Sequence, residues 1–230
     1  MSIGDAEIKT QERVIRFFKD PEILGYQYIG NLSDYQNKNI KEDRLRQYLR
    51  LKGYADKLID AAVMQLQQEA GNLSRGVYDA NKTVYSRLKY GIPVSESPEK
   101  PPVTVELIDE ANPLNNDFAV AEEVTVVEQQ EKRPDLVIYL NGIAVAVIEL
   151  KRSSISVSEG IRQNLTNQKD SFIRGFFTTM QFCMAGNESE GLRYGSLLTG
   201  EKFYMEWKDD GFKEHEEERD PVDVRISKTC

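Results

Sequence analysis

Along the first ninety residues, apolar side chains recur at helical spacing. Leu58, Ile59, Ala62, Val63, Leu66 and Ala70 form one stripe from Asp56 to Ala70, and Val77, Ala80, Val84 and Leu88 repeat the pattern. A further helix is expected over 5–20, stopped at Asp20-Pro21 because proline cannot continue it. The Ser/Pro-rich piece from Pro93 to Pro102 reads as a connector. Beyond it, β-branched runs punctuated by turn residues predict strands within 103–108, 118–128, 134–140, 143–151, 176–184, 191–197 and 202–207. Ser156-Val157-Ser158-Glu159 has the form of a capping box, and the helix it starts is expected to reach about Asp170. Helices followed by strands with one intervening helix predict an α/β fold, a mixed central sheet flanked by helices. The expected organisation is one unit over 1–208, divided into a helical region 1–92, the connector 93–102 and a sheet region 103–208. An acidic loop or linker is expected over 209–230.

Composition narrows the class without naming the chemistry. With 230 residues, 40% hydrophobic and 30% charged, the chain reads as a soluble globular protein with a sizeable core. Its longest strictly apolar stretch, Ile143 to Ile148, is far short of the roughly 20 residues of a membrane span. The beginning has no apolar signal region, so no membrane partner is expected. Cys183 and Cys230 offer neither a disulfide framework nor a zinc pattern, which fits a reducing, cytoplasmic setting. The net charge of −8 argues at first against a nucleic-acid partner. However, residues 201–223 hold ten acidic side chains against four basic ones, which leaves only −2 for the remainder. Charge therefore neither selects nor excludes DNA.

The segment with candidate chemistry is Arg133-Pro134-Asp135, then LVIYLNGIAVAV, then Ile148-Glu149-Leu150-Lys151. Ile143 to Leu150 is almost wholly aliphatic, as in a strand buried on both faces. Glu149 and Lys151, two apart at its end, point to one side. A carboxylate there is costly unless paired, hydrogen-bonded or bound to a cation. Asn141-Gly142 predicts a hairpin, and its register decides what Asp135 can do. A two-residue loop with regular ladders sets Asp135 opposite Ile148, facing away from Glu149. A three-residue loop with Gly142 as a bulge sets Asp135 opposite Val147, on one face with Glu149. A shared cation site requires that second register or an equivalent bulge. Two carboxylates suit Mg²⁺, which keeps waters and takes oxygen ligands, and Lys151 would then orient a water and steady charge on a phosphate. The competing reading is a non-catalytic docking or DNA-binding module in which Asp135, Glu149 and Lys151 form a structural ion network.

Two other motifs lead nowhere. Gly195 to Lys202 resembles a phosphate-binding loop but has Glu201 where lysine belongs and precedes a strand. His215, the only histidine, lies in the acidic stretch and suits no Ser-His-Asp arrangement.

The strings VYDANKTVYSRLKYG, VELIDEANPLNNDFAVAEEVTVV, KRPDLVIYLNGIAVAVIELKRSS, EGIRQNLTNQ and FFTTMQFCMAGNESEGLRYG occur in that order. From about Val77 to Lys208 they resemble the N-terminal endonuclease domain of the restriction (R) subunit of type I restriction–modification enzymes. That domain is of the PD-(D/E)xK, RecB-like nuclease kind. The resemblance implies a restriction-endonuclease-like fold and a type I site-specific deoxyribonuclease. Asp135 and Glu149 would be ligands of Mg²⁺, with Mn²⁺ able to substitute, and Lys151 the catalytic lysine. Gln163 matches the glutamine of a Gln-x-x-x-Tyr motif, and Asn167 stands where tyrosine is expected, so both are candidates for DNA-binding or site support. Glu12 is a candidate extra acid by likeness to first-helix glutamates of related nucleases. The implied partners are double-stranded DNA and the methylation and specificity subunits. ATP would act only through a motor region whose motifs this chain lacks.

Overall fold

The computed structural model describes residues 3–208, with side chains from residue 8 onward; the acidic stretch 209–230, including His215, lies outside the described residues. The helices are α1 (Ile3–Lys19), α2 (Glu42–Leu51), α3 (Asp56–Gly71), α4 (Val77–Tyr90) and α5 (Val157–Asn167). The strands are β1 (Gln27–Asn31), β2 (Ile92–Val94), β3 (Val103–Val105), β4 (Phe118–Glu122), β5 (Val126–Val127) and β6 (Glu131–Lys132). They continue as β7 (Leu136–Leu140), β8 (Ile143–Leu150), β9 (Phe182–Asn187), β10 (Gly191–Gly195) and β11 (Met205–Glu206). Seven of them form a mixed sheet in the order β1-β4-β7-β8-β9-β10-β11, parallel at β1/β4 and β8/β9 and antiparallel elsewhere.

The aliphatic run of β8 places that strand at the centre of the sheet, with apolar layers on both faces. On one face Val14, Ile15, Phe17 and Phe18 of α1 pack on Val120, Leu136, Ile148 and Leu150. On the other, Phe176 and Phe177 cover Val137, Tyr139 and Val147, and Val157 and Ile161 of α5 continue that layer over Ala185. A third cluster holds α2, α3 and α4 together with β2 and β3, and Ile143 of β8 joins it to the sheet. Each fully buried aliphatic or aromatic side chain contributes ~1.5–3 kcal/mol, so these three layers dominate the stability. None of the described helices is long and apolar enough to cross a membrane.

Several elements differ from the sequence expectation. The region 1–92 supplies β1, the parallel edge strand, as well as helices. Its helix α2 is so charged that only Leu45, Tyr48 and Leu49 are buried. Within the expected connector, Ile92–Val94 pairs with Val103–Val105 as a hairpin. The run 176–184 is not one strand. Arg174–Thr179 is a 3-10 turn that drives both phenylalanines into the core, and the strand begins at Phe182. After Gly195 the chain makes a tight turn with Leu198 at φ 60° and enters a short 3-10 turn at Glu201–Phe203, so no helix follows the glycine-rich string.

Candidate active site

The hairpin between β7 and β8 closes with two residues, Asn141 at φ 52° and Gly142 at φ 83°, so Leu140 faces Ile143. This corrects the expected three-residue loop. The glycine is required twice over, because a β-carbon there would lie 2.7 Å from the Lys41 carbonyl oxygen and 2.8 Å from the Leu45 nitrogen of α2. Asn141 is fully buried. It donates to the Leu107 carbonyl and to Asn116 Oδ1, both at 2.8 Å, and accepts from Asp117 N–H at 2.7 Å. Those bonds hold the left-handed asparagine in place.

The extra residue that parity demands lies further along, in β8. Tyr139 pairs with Ala144 but Ile138 with Ala146, so Val145 is bulged. Ala144 and Val147, three residues apart, consequently share one apolar layer. Beyond the bulge Leu136 pairs with Ile148, and the register carried one residue on sets Asp135 opposite Glu149 rather than opposite Val147. The functional demand is met with a different register.

Asp135 sits just before β7, half-buried, with Oδ2 accepting the Leu150 N–H at 2.7 Å. Glu149 is completely buried. Its Oε2 accepts from Gln163 Nε2 at 2.6 Å, while Oε1 has no hydrogen-bond partner. Burial first, then the Asp135 charge, push the Glu149 carboxyl well above its usual range, and the Lys151 charge opposes them. Without a cation, Glu149 is therefore held toward its protonated form. Lys151 is half-buried immediately after β8, and its backbone N–H donates to the Gly186 carbonyl at 2.9 Å.

Gln163 reaches Glu149 because α5 lies close on the sheet. A β-carbon on Gly160, one turn earlier, would be 3.0 Å from Ala185 Cβ and 3.4 Å from Glu149 Cβ. The N-terminus of α5 departs from the expected capping box. Ser156 Oγ accepts from Ser158 N–H at 3.3 Å, but Glu159 turns to Arg162 at 2.7 Å. Glu190, from the β9–β10 turn, accepts the Val157 N–H at 3.0 Å instead.

Asp135, Glu149, Lys151 and Gln163 are thus brought together. Asn167 and Glu12 are not. Asn167 is buried one turn further along α5, with its carbonyl accepting the Ile173 N–H at 3.2 Å, and no bond joins it to either carboxylate. Glu12 is exposed on α1, the helix that covers the opposite face of the sheet. Sequence reading missed Gly160, whose only signal is a glycine inside an expected helix, and Glu123, whose charge also raises the Glu149 carboxyl. Among the described residues no three His, Cys, Asp or Glu side chains gather as a metal cluster, so the acidic donors to a cation would number two. A desolvated carboxylate with one unpartnered oxygen, next to a second carboxylate, is a donor set that fits a hard divalent ion retaining several waters.

Comparison with known proteins adds a family. A family model described as the type I restriction enzyme R protein N terminus matches residues 7–203. A relative from Methanocaldococcus jannaschii, named as the putative type I restriction enzyme MjaIXP endonuclease subunit, is 31% identical over 137 residues, covering 55% of this chain and 13% of that protein. The SauMSSORF170P endonuclease subunit of a Staphylococcus aureus type I restriction enzyme (strain MSSA476) is 30% identical over 112 residues, covering 46% of this chain and 12% of that protein. The chain therefore matches only about an eighth of the length of these relatives.

Proposed function

The chain belongs to the family of type I restriction enzyme R protein N-termini, and from that premise we propose that it is a nuclease domain cleaving duplex DNA with a divalent cation held by Asp135 and Glu149. One observation carries the reading: a fully buried Glu149, fixed by Gln163 through one oxygen, keeps its other oxygen unpartnered beside Asp135. An orphaned buried acceptor costs about 1–3 kcal/mol, a cost that a cation bound at that oxygen would offset.

Mg²⁺, or Mn²⁺ in its place, would supply polarisation of the scissile phosphate and a bound water of lowered pKa. The protein's own groups do the rest. Glu149 would hold the cation as a carboxylate, its proton having passed to solvent. The Leu150 N–H holds Asp135 Oδ2 and so fixes the orientation of that carboxylate. Lys151 orients the attacking water and stabilises charge growing on the phosphate. Gln163 keeps Glu149 in its rotamer.

The family context supports a larger assembly as well. In it a motor elsewhere consumes ATP, and methylation and specificity subunits choose the DNA, leaving this domain to cut with little base preference. In the assembled enzyme, Asp135→Ala, Glu149→Ala and Lys151→Ala should each abolish cleavage while ATP-driven translocation continues. A variant that kept more than a few per cent of cleavage would overturn the assignment. Calorimetric titration with Mn²⁺ should give heat with the wild-type chain and none with Asp135→Ala.

A further inference from the structure

Glu123 leaves the end of β4 at φ 51°, a left-handed conformation that costs a non-glycine residue of order 1 kcal/mol or more. What it does locally is visible. Its N–H donates to the Asp135 carbonyl at 2.9 Å, and the Val124 N–H donates to the Pro134 carbonyl at 3.0 Å. The turn out of β4 is thereby tied to the residues that lead into β7. Its carboxylate pairs with Arg133 Nε at 2.8 Å. That carboxylate is also near enough to act on Glu149, so the Arg133 guanidinium stands at the rim of the acidic site, two residues before Asp135.

Stability does not account for this arrangement. The Arg133 side chain is 56% exposed and the Glu123 side chain 26%, and ion pairs so placed are worth ~0–1 kcal/mol. Nor is the guanidinium used up. The pair closes at Nε, and among the described residues no acidic side chain other than Glu123 makes an ion pair with this guanidinium. Such a fork matches two oxygens of a phosphate, which a lysine cannot grip in the same way.

We propose that Arg133 binds a DNA backbone phosphate adjoining the one cleaved, and that Glu123 is the positioning residue holding Arg133 for that contact. The inference rests on the nuclease reading and extends it to a substrate contact. It also gives the left-handed glutamate a purpose: the turn that ties down Asp135 aims the arginine beside it.

The test is binding of a fluorescent duplex of about 25 base pairs by the whole 230-residue chain without divalent ions, followed by anisotropy across a salt series. Arg133→Gln should weaken binding several-fold and flatten the slope of log K against log salt by about 0.9, the value of one phosphate contact. Arg133→Lys should restore the slope but not the full affinity, and it guards against a folding defect in the glutamine variant. Glu123→Gln and Glu123→Ala lose the same charge, but only glutamine can still accept from Nε. The alanine variant should bind several-fold more weakly than the glutamine variant, at equal slope. An unchanged slope in Arg133→Gln overturns the phosphate contact, and equal affinities of the two Glu123 variants overturn the positioning role. Absence of salt-dependent DNA binding by the wild type overturns this proposal and the nuclease reading together. If the slope changes as expected but Asp135→Asn still cleaves in the assembled enzyme, the contact stands and the cation assignment falls.

Discussion

A single carboxyl group, that of Glu149, carries most of the tension in this molecule. Its pKa is raised in the folded state by burial and by Asp135. Between its ordinary value and that raised value the folded protein binds more protons than the unfolded chain, so stability falls as pH rises through this window. Glu149→Gln removes the effect. In chelator, its melting temperature should exceed that of the wild type above about pH 5, by a margin that grows with pH; a gain of ~1 kcal/mol would appear as about 2–4 °C. Adding Mn²⁺ should raise the wild-type melting temperature and leave Glu149→Gln unmoved. A variant that melts well below the wild type at pH 8 without metal would instead identify Glu149 as part of a stabilising ion network. Gln163 acts on the same oxygen pair from outside. Gln163→Ala should weaken Mn²⁺ binding about 10–100-fold without unfolding the chain, as measured by calorimetry.

At the scale of elements, the site depends on one extra residue in β8. Inserting one alanine between Ala146 and Val147 would shift the ladder by one residue beyond that point and place Asp135 opposite Ile148 rather than opposite Glu149. The inserted chain is expected to lose both metal binding and much of its stability, because Ile148 and Leu150 would exchange faces with Val147 and Glu149. A folded insertion variant that still bound Mn²⁺ would refute the role given to this register. Why the sequence hides this register is physical. Ile143 to Leu150 is buried on both faces, so it lacks the apolar–polar alternation that reports parity, and Asn141-Gly142 suits either turn. Asp135, Glu149 and Lys151 could be picked out because charge at the end of such a strand needs a reason. Gln163 was legible as a helix position, but its partner was not, since that depends on how closely Gly160 lets α5 approach. Gly160→Val should force the helix outward and cost about 1–3 kcal/mol, with Gln163 losing its hold on Glu149. Thermal melts and metal titration would separate the two effects. The edge strand β1 and the charged helix α2 were invisible for the complementary reason: each buries too few apolar groups to leave a periodic trace.

Across the whole molecule, the question is how an acidic protein approaches a polyanion. The net charge is −8, and residues 209–230 contribute eight acidic and four basic side chains, half of that total. Such a charge repels DNA most strongly at low ionic strength and is screened beyond about 8 Å near 0.15 M salt. Binding by the chain alone should therefore be weak and indifferent to base sequence, resting on the few cations at the site rather than on an extended basic surface. A chain ended at Lys208 should bind a duplex more tightly than the 230-residue chain at 20 mM salt, and the two should converge by 0.3 M (about a 6 Å screening length). Neither should hydrolyse ATP, because the glycine-rich string at Gly195 closes a turn between two strands and offers no helix N-terminus to a phosphate. Anisotropy on two unrelated duplexes at both salt concentrations, with a phosphate-release assay alongside, measures all of this. Tight binding of the 230-residue chain to one duplex and not the other at 0.15 M salt would sink the picture of a cutting module whose address is supplied by its partners.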